Sequence, residues 1–242
     1  MFLSFASFRR ASVALASGLV IALFSLAAAA ADSKLLAPGF VTLPSGASIA
    51  LMPPDVELFE LGASGVLEPK AEWTEAAHKN LRSAVDTIEQ GWNLNGIELS
   101  DADAEPFAEV SALHAAVAQS IVMHHLGFGG NALPTKGGML DWSFGDAVAP
   151  LREKTNADYA LFIWIRDSYT SGGRVAARIA LALVGVHLLQ NGIQQGYASL
   201  VDLRTGQVMW FNRLFRQTGD LRTAGPALDS LKALLSGFPY PR

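Results

Sequence analysis

The chain's sharpest pattern is an alternation of polar and apolar positions late in the sequence. Tyr197, Ser199, Val201 and Leu203 interleave with Ala198, Leu200 and Asp202, and 208–215 continues as a β-branched, aromatic and apolar run. That periodicity predicts two strands. The intervening Arg204-Thr205-Gly206 predicts a hairpin whose last loop residue takes φ > 0, where a Cβ would clash. Asp202 is expected to close the turn by accepting backbone N–H groups, and Trp210 to be largely buried. Residues 159–165 are apolar at successive positions, as in a central strand covered on both faces.

Elsewhere the period lengthens to three and four. Trp73, Ala77, Leu81, Val85, Ile88 and Trp92 form one apolar stripe, with Glu75, Lys79, Arg82, Asp86 and Glu89 opposite; a helix is predicted, stopped at Asn95-Gly96 by a left-handed cap. A short strand over 97–99 leads to Ser100, a helix cap, and Phe107, Val110, Leu113, Val117 and Ile121 mark a second helix that runs out at Gly127. A short helix over 143–155 turns Val148 and Leu151 inward, and 226–235 closes the chain on Leu228, Leu231 and Leu235. Near the start, a strand over 48–52 is stopped by Pro53-Pro54, and 55–61 forms a second extended segment. Prolines confine such a strand to an edge or to its own end.

One segment fits neither pattern. After a Gly-Gly turn over 170–174, Val175, Ile179, Ala182, Val186 and Leu189 recur at helical spacing, yet Leu181, Leu183, Val184 and Leu188 fill the flanks. A helix apolar nearly all round exposes too much for one contact. Val175, Ile179, Leu183, Val186 and Leu188 are therefore a candidate contact surface for a membrane or another copy of the chain, the alternative being a core helix between the sheet and a second helix. Residues 175–189 would span about 22 Å as a helix, short of a roughly 30 Å hydrocarbon core.

Composition places these elements in a compartment. Arg9 and Arg10 precede an apolar, uncharged stretch ending in Ala29-Ala30-Ala31; residues 1–31 read as a signal peptide cleaved near Ala31, the alternative being an uncleaved anchor. Without Arg9 and Arg10 the remainder holds 16 basic against 22 acidic side chains, a formal charge of −6. Bulk nucleic-acid binding is disfavoured by that sign. The absence of cysteine excludes disulfides, thiolate metal sites, a cysteine nucleophile and a lipid-bearing Cys. The expected organisation is a lead-in over 32–47 with little regular structure, then one α/β domain over 48–242. It is three-layer-like, with a mixed β-sheet, helices packed on it, a late hairpin, a closing helix and an apolar helical excursion at about 174–190.

Catalytic motifs are missing. No nucleophile elbow, phosphate-binding Lys loop or zinc helix occurs. Gly127, Gly129 and Gly130 follow a helix rather than opening one. His114 and His125 lie three turns apart, about 16 Å, too far for one metal ion, and His124 points elsewhere; helix-end histidines facing the negative dipole terminus are expected. Glu57 with Glu60, Asp101 with Asp103, and Asp141 with Asp146 read as solvated or capping carboxylates. Trp142, Trp164, Trp210 and Phe211 read as packing before ligand stacking. No residue is nominated for catalysis, cofactor or metal binding.

Two short motifs carry a resemblance. Ala157-Asp158-Tyr159 opens the central strand, and Asp202-Leu203-Arg204-Thr205-Gly206-Gln207-Val208-Met209-Trp210 spans the hairpin. This resembles a pattern in exported proteobacterial proteins, distantly similar to the curli-export lipoprotein, lipoprotein activators of penicillin-binding proteins and the TolB amino-terminal domain. The resemblance implies a small α/β domain with a mixed sheet, and a non-enzymatic periplasmic accessory, assembly or scaffold protein that engages an envelope protein or itself, with peripheral membrane contact as a further option. It implies no cofactor. An envelope hydrolase and a small-ligand-binding periplasmic protein are the alternatives. The 172–189 segment is an addition to the smaller domains.

Overall fold

The longest strand, β5 (Tyr159–Thr170), is the axis on which the sheet is assembled. The computed structural model describes residues 34–92, 95–127, 131–183 and 192–241; the targeting segment read over 1–31 and the contact positions Val186 and Leu188 lie outside them. One flank of β5 is taken by β6 (Gln194–Asp202), which pairs antiparallel with it and then with β7 (Val208–Arg216). The other flank is shared by two strands end to end. β1 (Ser48–Leu51) pairs in parallel with Tyr159 to Leu161, and β2 (Asp55–Leu61) with Trp164 to Thr170. Met52, Pro53 and Pro54 face only Phe162 and Ile163, so the pair behaves as one strand with a bulge at its prolines. The outermost column is equally divided: β4 (Asn95–Glu98) runs parallel to β1, and β3 (Leu67–Pro69) antiparallel to β2. The prolines thus sit at the end of β1, between these two partners, where no ladder N–H is required of them.

Alternation along the strands sends side chains into two cores. On one face Ile49, Leu51, Val56, Leu58, Leu161, Ile163, Ile165, Leu200 and Trp210 pack against Ala77, Leu81 and Ala84 of α1 (Ala71–Glu89). On the other, Ala50, Ala160, Phe162, Val201 and Phe211 meet Val110, Ala118 and Ile121 of α2 (Ala108–His124) and Leu151 of α3 (Ala149–Thr155). The last helices are α4 (Gly172–Leu183) and α5 (Ala224–Leu234), and α5 lies beside α1 on the first face. The result is a mixed α/β sheet with helices on both faces, a β6–β7 hairpin and a closing helix.

Several local expectations are corrected by these contacts. Asn95 and Gly96 belong to β4, and α1 ends at Glu89 with Gln90 still right-handed; parallel pairing with β1 claims the two residues that would suit a cap. Gly172-Gly173 opens α4 instead of forming a turn, because Ser171 caps the helix: its Oγ accepts from Arg174 N at 3.1 Å and its carbonyl from Val175 N at 3.0 Å. In α2 the innermost positions include His114 and Ala118, while Leu113 and Val117 are half-buried. In α5 they are Ala227, Leu231 and Leu234, with Leu228 half-buried and Leu235 just past the helix.

The lead-in has little regular structure, yet it is stitched down. Ala37 N donates to Met209 O at 2.9 Å, Phe211 N to Leu35 O at 2.9 Å and Leu43 N to Pro239 O at 2.9 Å, and Ala37 and Leu43 are buried. This strap covers the open edge of β7, which would otherwise present an unpaired ladder.

Candidate functional site

The hairpin turn is a fixed structural point. Asp202 Oδ1 accepts from Arg204 N at 2.8 Å and Thr205 N at 3.0 Å, and Gly206 sits at φ +71° with its N–H on Asp202 O at 2.8 Å. A Cβ at Gly206 would lie 2.2 Å from Gly145 O, so a neighbouring loop as well as the turn demands glycine. Trp210 is wholly buried.

Functional interest lies at the opposite end of the sheet. There α2 no longer covers the second face, and Phe59, Leu61, Leu67, Trp164, Arg166, Arg174 and Phe215 line an open groove of about 570 Å³. Its floor is layered: Trp164 stacks on Tyr197 with ring centroids 4.9 Å apart, and the Arg166 guanidinium lies 4.6 Å from the Trp164 centroid. Arg166 is held in place by Asp55 at 2.7 Å and Glu57 at 3.3 Å. Phe215 and Leu67 remain 64% and 51% exposed at the rim.

From this rim α4 leaves the body as an arm. Arg174, only 6% exposed, anchors its first turn by donating from Nη1 to Gly62 O at 3.2 Å in the β2–β3 turn. Beyond that turn no other helix or strand of the described residues packs extensively against α4. Val175, Ile179 and Leu183, at i, i+4 and i+8, are 42%, 60% and 83% exposed, which is one apolar stripe facing away from the protein. The end of β5 and the residues just before β6 are pinched together. Gly192 N donates to Thr170 Oγ1 at 3.3 Å, Ile193 N to Ser168 Oγ at 2.9 Å and Ser168 N to Ile193 O at 3.1 Å. A Cβ on Gly192 would fall 1.7 Å from Ser168 O, so only glycine permits this neck.

Beneath the neck, on the first face, lies a buried polar cluster that sequence reasoning missed. Asp167 Oδ2 accepts from Tyr169 Oη at 2.7 Å and Gln194 Nε2 at 2.5 Å. Gln194 Oε1 in turn accepts from Arg216 Nε at 2.8 Å and Ser230 Oγ at 2.9 Å, and Arg216 Nη2 also donates to Ser230 Oγ. Tyr169 Oη accepts from Leu221 N at 2.7 Å. Burial pushes the Asp167 carboxyl up to about 6, against the pull of its two donors, and raises the Tyr169 phenol. A cleft of about 220 Å³ opens on Asp167, Thr170, Gly192, Gln194 and Thr218. The sequence sign was slight: Asp167 and Gln194 stand among other polar residues at the ends of their strands.

The other weighed residues stay apart. His114 is mid-helix, not terminal: it is 2% exposed, its Nε2 pairs with Ser199 Oγ at 3.0 Å, and its ring stacks on Phe144 and Phe162. Burial drives its pKa down to about 3, so it is a neutral core group. His124 and His125 do end α2, bonded to Asn131 O at 2.8 Å and Lys34 O at 2.7 Å. Glu60 pairs with Lys70 at 2.6 Å, Asp101 with Arg82 at 2.7 Å and Asp141 with Lys136 at 3.4 Å, while Asp103 accepts from Ser100 Oγ at 2.7 Å. Among the described residues no group of three or more His, Cys, Asp or Glu is placed to hold a metal ion, and no helix is long and apolar enough to cross a membrane.

No family model and no curated protein matches the chain. Solved structures do. A single-residue variant of the PelC dodecamer from Paraburkholderia phytofirmans is 13% identical with a TM-score of 0.41, over 84% of this chain and 95% of that one. A lipoprotein from Neisseria meningitidis is 15% identical with a TM-score of 0.32, over 78% and 93%. The C-terminal domain of LpoB from Salmonella enterica is 13% identical with a TM-score of 0.28, over 75% and 88%.

Proposed function

We propose that this protein is a non-enzymatic accessory or assembly protein of the bacterial envelope, exported to the periplasm, that acts by contact through α4, the β2–β3 turn and Phe215. The observation that carries this reading is the exposed stripe Val175, Ile179 and Leu183 on a helix the body does not cover. A 12-residue helix is marginal in water without an apolar partner. Val66, 58% exposed on the β2–β3 turn, extends the apolar surface beside the arm's first turn. Of the carboxylates that an envelope hydrolase would use, Glu57, Glu60, Asp101 and Asp141 are paired with cations and Asp103 with the Ser100 cap. Small-ligand binding is the second reading, favoured by the cleft on the buried Asp167.

Two measurements test the main reading. The protein released by osmotic shock is expected to have an intact mass that begins near Asp32; full-length protein retained in the cytoplasm would overturn export. A photo-crosslinking residue at Ile179 is expected to give adducts in intact cells, whereas one at Glu75 on the exposed side of α1 gives none. Equal labelling at both sites removes the special role of the arm.

A further inference from the structure

We infer that the cleft over Asp167 binds a small primary ammonium compound, whose N–H groups donate to the Asp167 carboxylate. The inference rests on the small-ligand reading of that cleft and adds the chemical class of the ligand. Two observations of geometry carry it. The first is a buried carboxylate that its neighbours leave incomplete. Asp167 is 3% exposed and lines the opening of about 220 Å³. Its two side-chain donors, Tyr169 Oη and Gln194 Nε2, both converge on Oδ2, and the Ser168 amide beside it is already given to Ile193 O. No Lys, Arg or His among the described residues forms an ion pair with it. A carboxylate has about four accepting sites, so Asp167 keeps unused capacity at Oδ1 with no positive charge at ion-pair distance.

The second is the lining. Among its described members Asp167 is the one charged side chain, set among Ser168, Thr170, Gln194, Gln217 and Thr218. The donors of the cluster below are spent internally. Tyr169 and Gln194 donate to Asp167, and Arg216, behind Gly219, donates to Gln194 Oε1 and Ser230 Oγ. What the walls still offer is mainly oxygen: the carboxylate and the hydroxyls. Such walls favour a ligand that brings N–H donors and a positive charge, and disfavour an anion. A divalent cation, which gathers six or more oxygen ligands, would find a single carboxylate here.

The charge of Asp167 makes the site pH-dependent. The titratable and charged groups facing it are Tyr169 on its own strand, Arg216 on β7, and Asp220 with Arg222 ahead of α5; Arg166 pairs on the other face with Asp55 and Glu57. Arg222 holds Asp220 below the usual carboxylate range, and burial raises the Tyr169 phenol. Asp167, pushed up to about 6 by burial, is therefore the group of this set that changes charge near neutral pH, and a bound cation offsets what burial costs its ionised form.

The test is an NMR titration of the purified protein, read at the amides of Ser168, Thr170 and Gln194, with ethanolamine, ethylene glycol and choline as probes. The three share a hydroxyethyl unit and differ in the second group: a primary ammonium, a hydroxyl, and a quaternary ammonium without N–H. Saturable ethanolamine binding is expected, at least about tenfold tighter than that of either other probe. It should weaken about tenfold from pH 7.5 to pH 5, as the carboxylate takes up its proton. Asp167→Asn is expected to lose it. Thr218→Lys, at an exposed rim position, places a tethered ammonium at the cleft and is expected to lose it as well with an unchanged melting temperature, whether or not Asp167→Asn folds. Ethanolamine and ethylene glycol binding equally, both lost in Asp167→Asn, overturns the ammonium class and leaves the small-ligand reading standing. Ethanolamine binding no tighter than choline overturns the hydrogen-bonded ammonium. Binding unchanged in both variants lies outside the cleft and overturns the inference, and no saturable shift with any probe removes the cleft as a small-ligand site too.

Discussion

At the scale of single residues, two positions show how a local rule and a tertiary contact act together. Gly206 is required by φ +71° and again by Gly145 O, 2.2 Å from where its Cβ would be. Gly206→Val is therefore expected to cost at least about 2 kcal/mol, more than turn strain alone, read as a lowered urea midpoint. Asp167 provides a pH test. Its folded pKa, raised to about 6 chiefly by burial, means that the folded state prefers the protonated carboxyl. The stability this contributes is complete below about pH 4 and is lost as pH rises through 6; the full difference is about 3 kcal/mol. Asp167→Asn, always neutral and able to accept from Tyr169 and Gln194, should melt above the parent at pH 8 and with it near pH 4. His114, held down to about 3, acts in the opposite direction: its contribution is present above about 6.5 and is lost as pH falls toward 3. A parent protein whose melting temperature is the same relative to Asp167→Asn at both pH values would show that Asp167 does not titrate as described.

At the scale of elements, apolar spacing gave the right helices and strands, but their limits were set by partners. The stripe of Trp73, Ala77 and Leu81 identifies α1, yet Trp92 lies past its end, stacked on Phe238 at 4.8 Å. Periodicity counts the residues that are buried and is blind to which element buries them. Polar core residues escape it altogether: His114 occupies a core position of α2 because Ser199 of β6 supplies its hydrogen bond. In α5, Leu231 and Leu234 are the fully buried helical leucines, packed in the core that α1 shares, and Leu235 follows the helix. Leu231→Ala is expected to destabilise by about 2–5 kcal/mol, and Leu228→Ala by clearly less, compared by chemical denaturation. Equal effects would contradict this packing.

At the scale of the whole molecule, the sheet's two edges are treated differently. The strap over 34–44 lies along β7 through Leu35, Leu36 and Ala37, with Leu36 bridging Trp210. Removing it should lower the melting temperature and expose an edge strand to intermolecular pairing, visible as higher-mass species by size exclusion. A deletion that remains monomeric with an unchanged melt would show the strap to be dispensable.

The sequence by itself determined the class of fold, the β6–β7 hairpin, the buried central strand and the helices, because each is written in the spacing of side chains along a short stretch. It also marked 174–190 as unusual, from an excess of apolar residues that one face cannot hide. Only the tertiary structure decided which way that excess points. Val175, Ile179 and Leu183 are exposed on a helix that starts directly after β5 ends at Thr170, where the chain leaves the sheet. The cluster of Asp167, Gln194, Arg216 and Ser230 is likewise tertiary in origin: its members are scattered along the chain, and strand register and helix docking alone bring them within hydrogen-bond distance. Local spacing records how much of a residue is hidden, whereas the identity of its neighbour depends on segments far away in the chain, and on that identity the chemistry of a site depends.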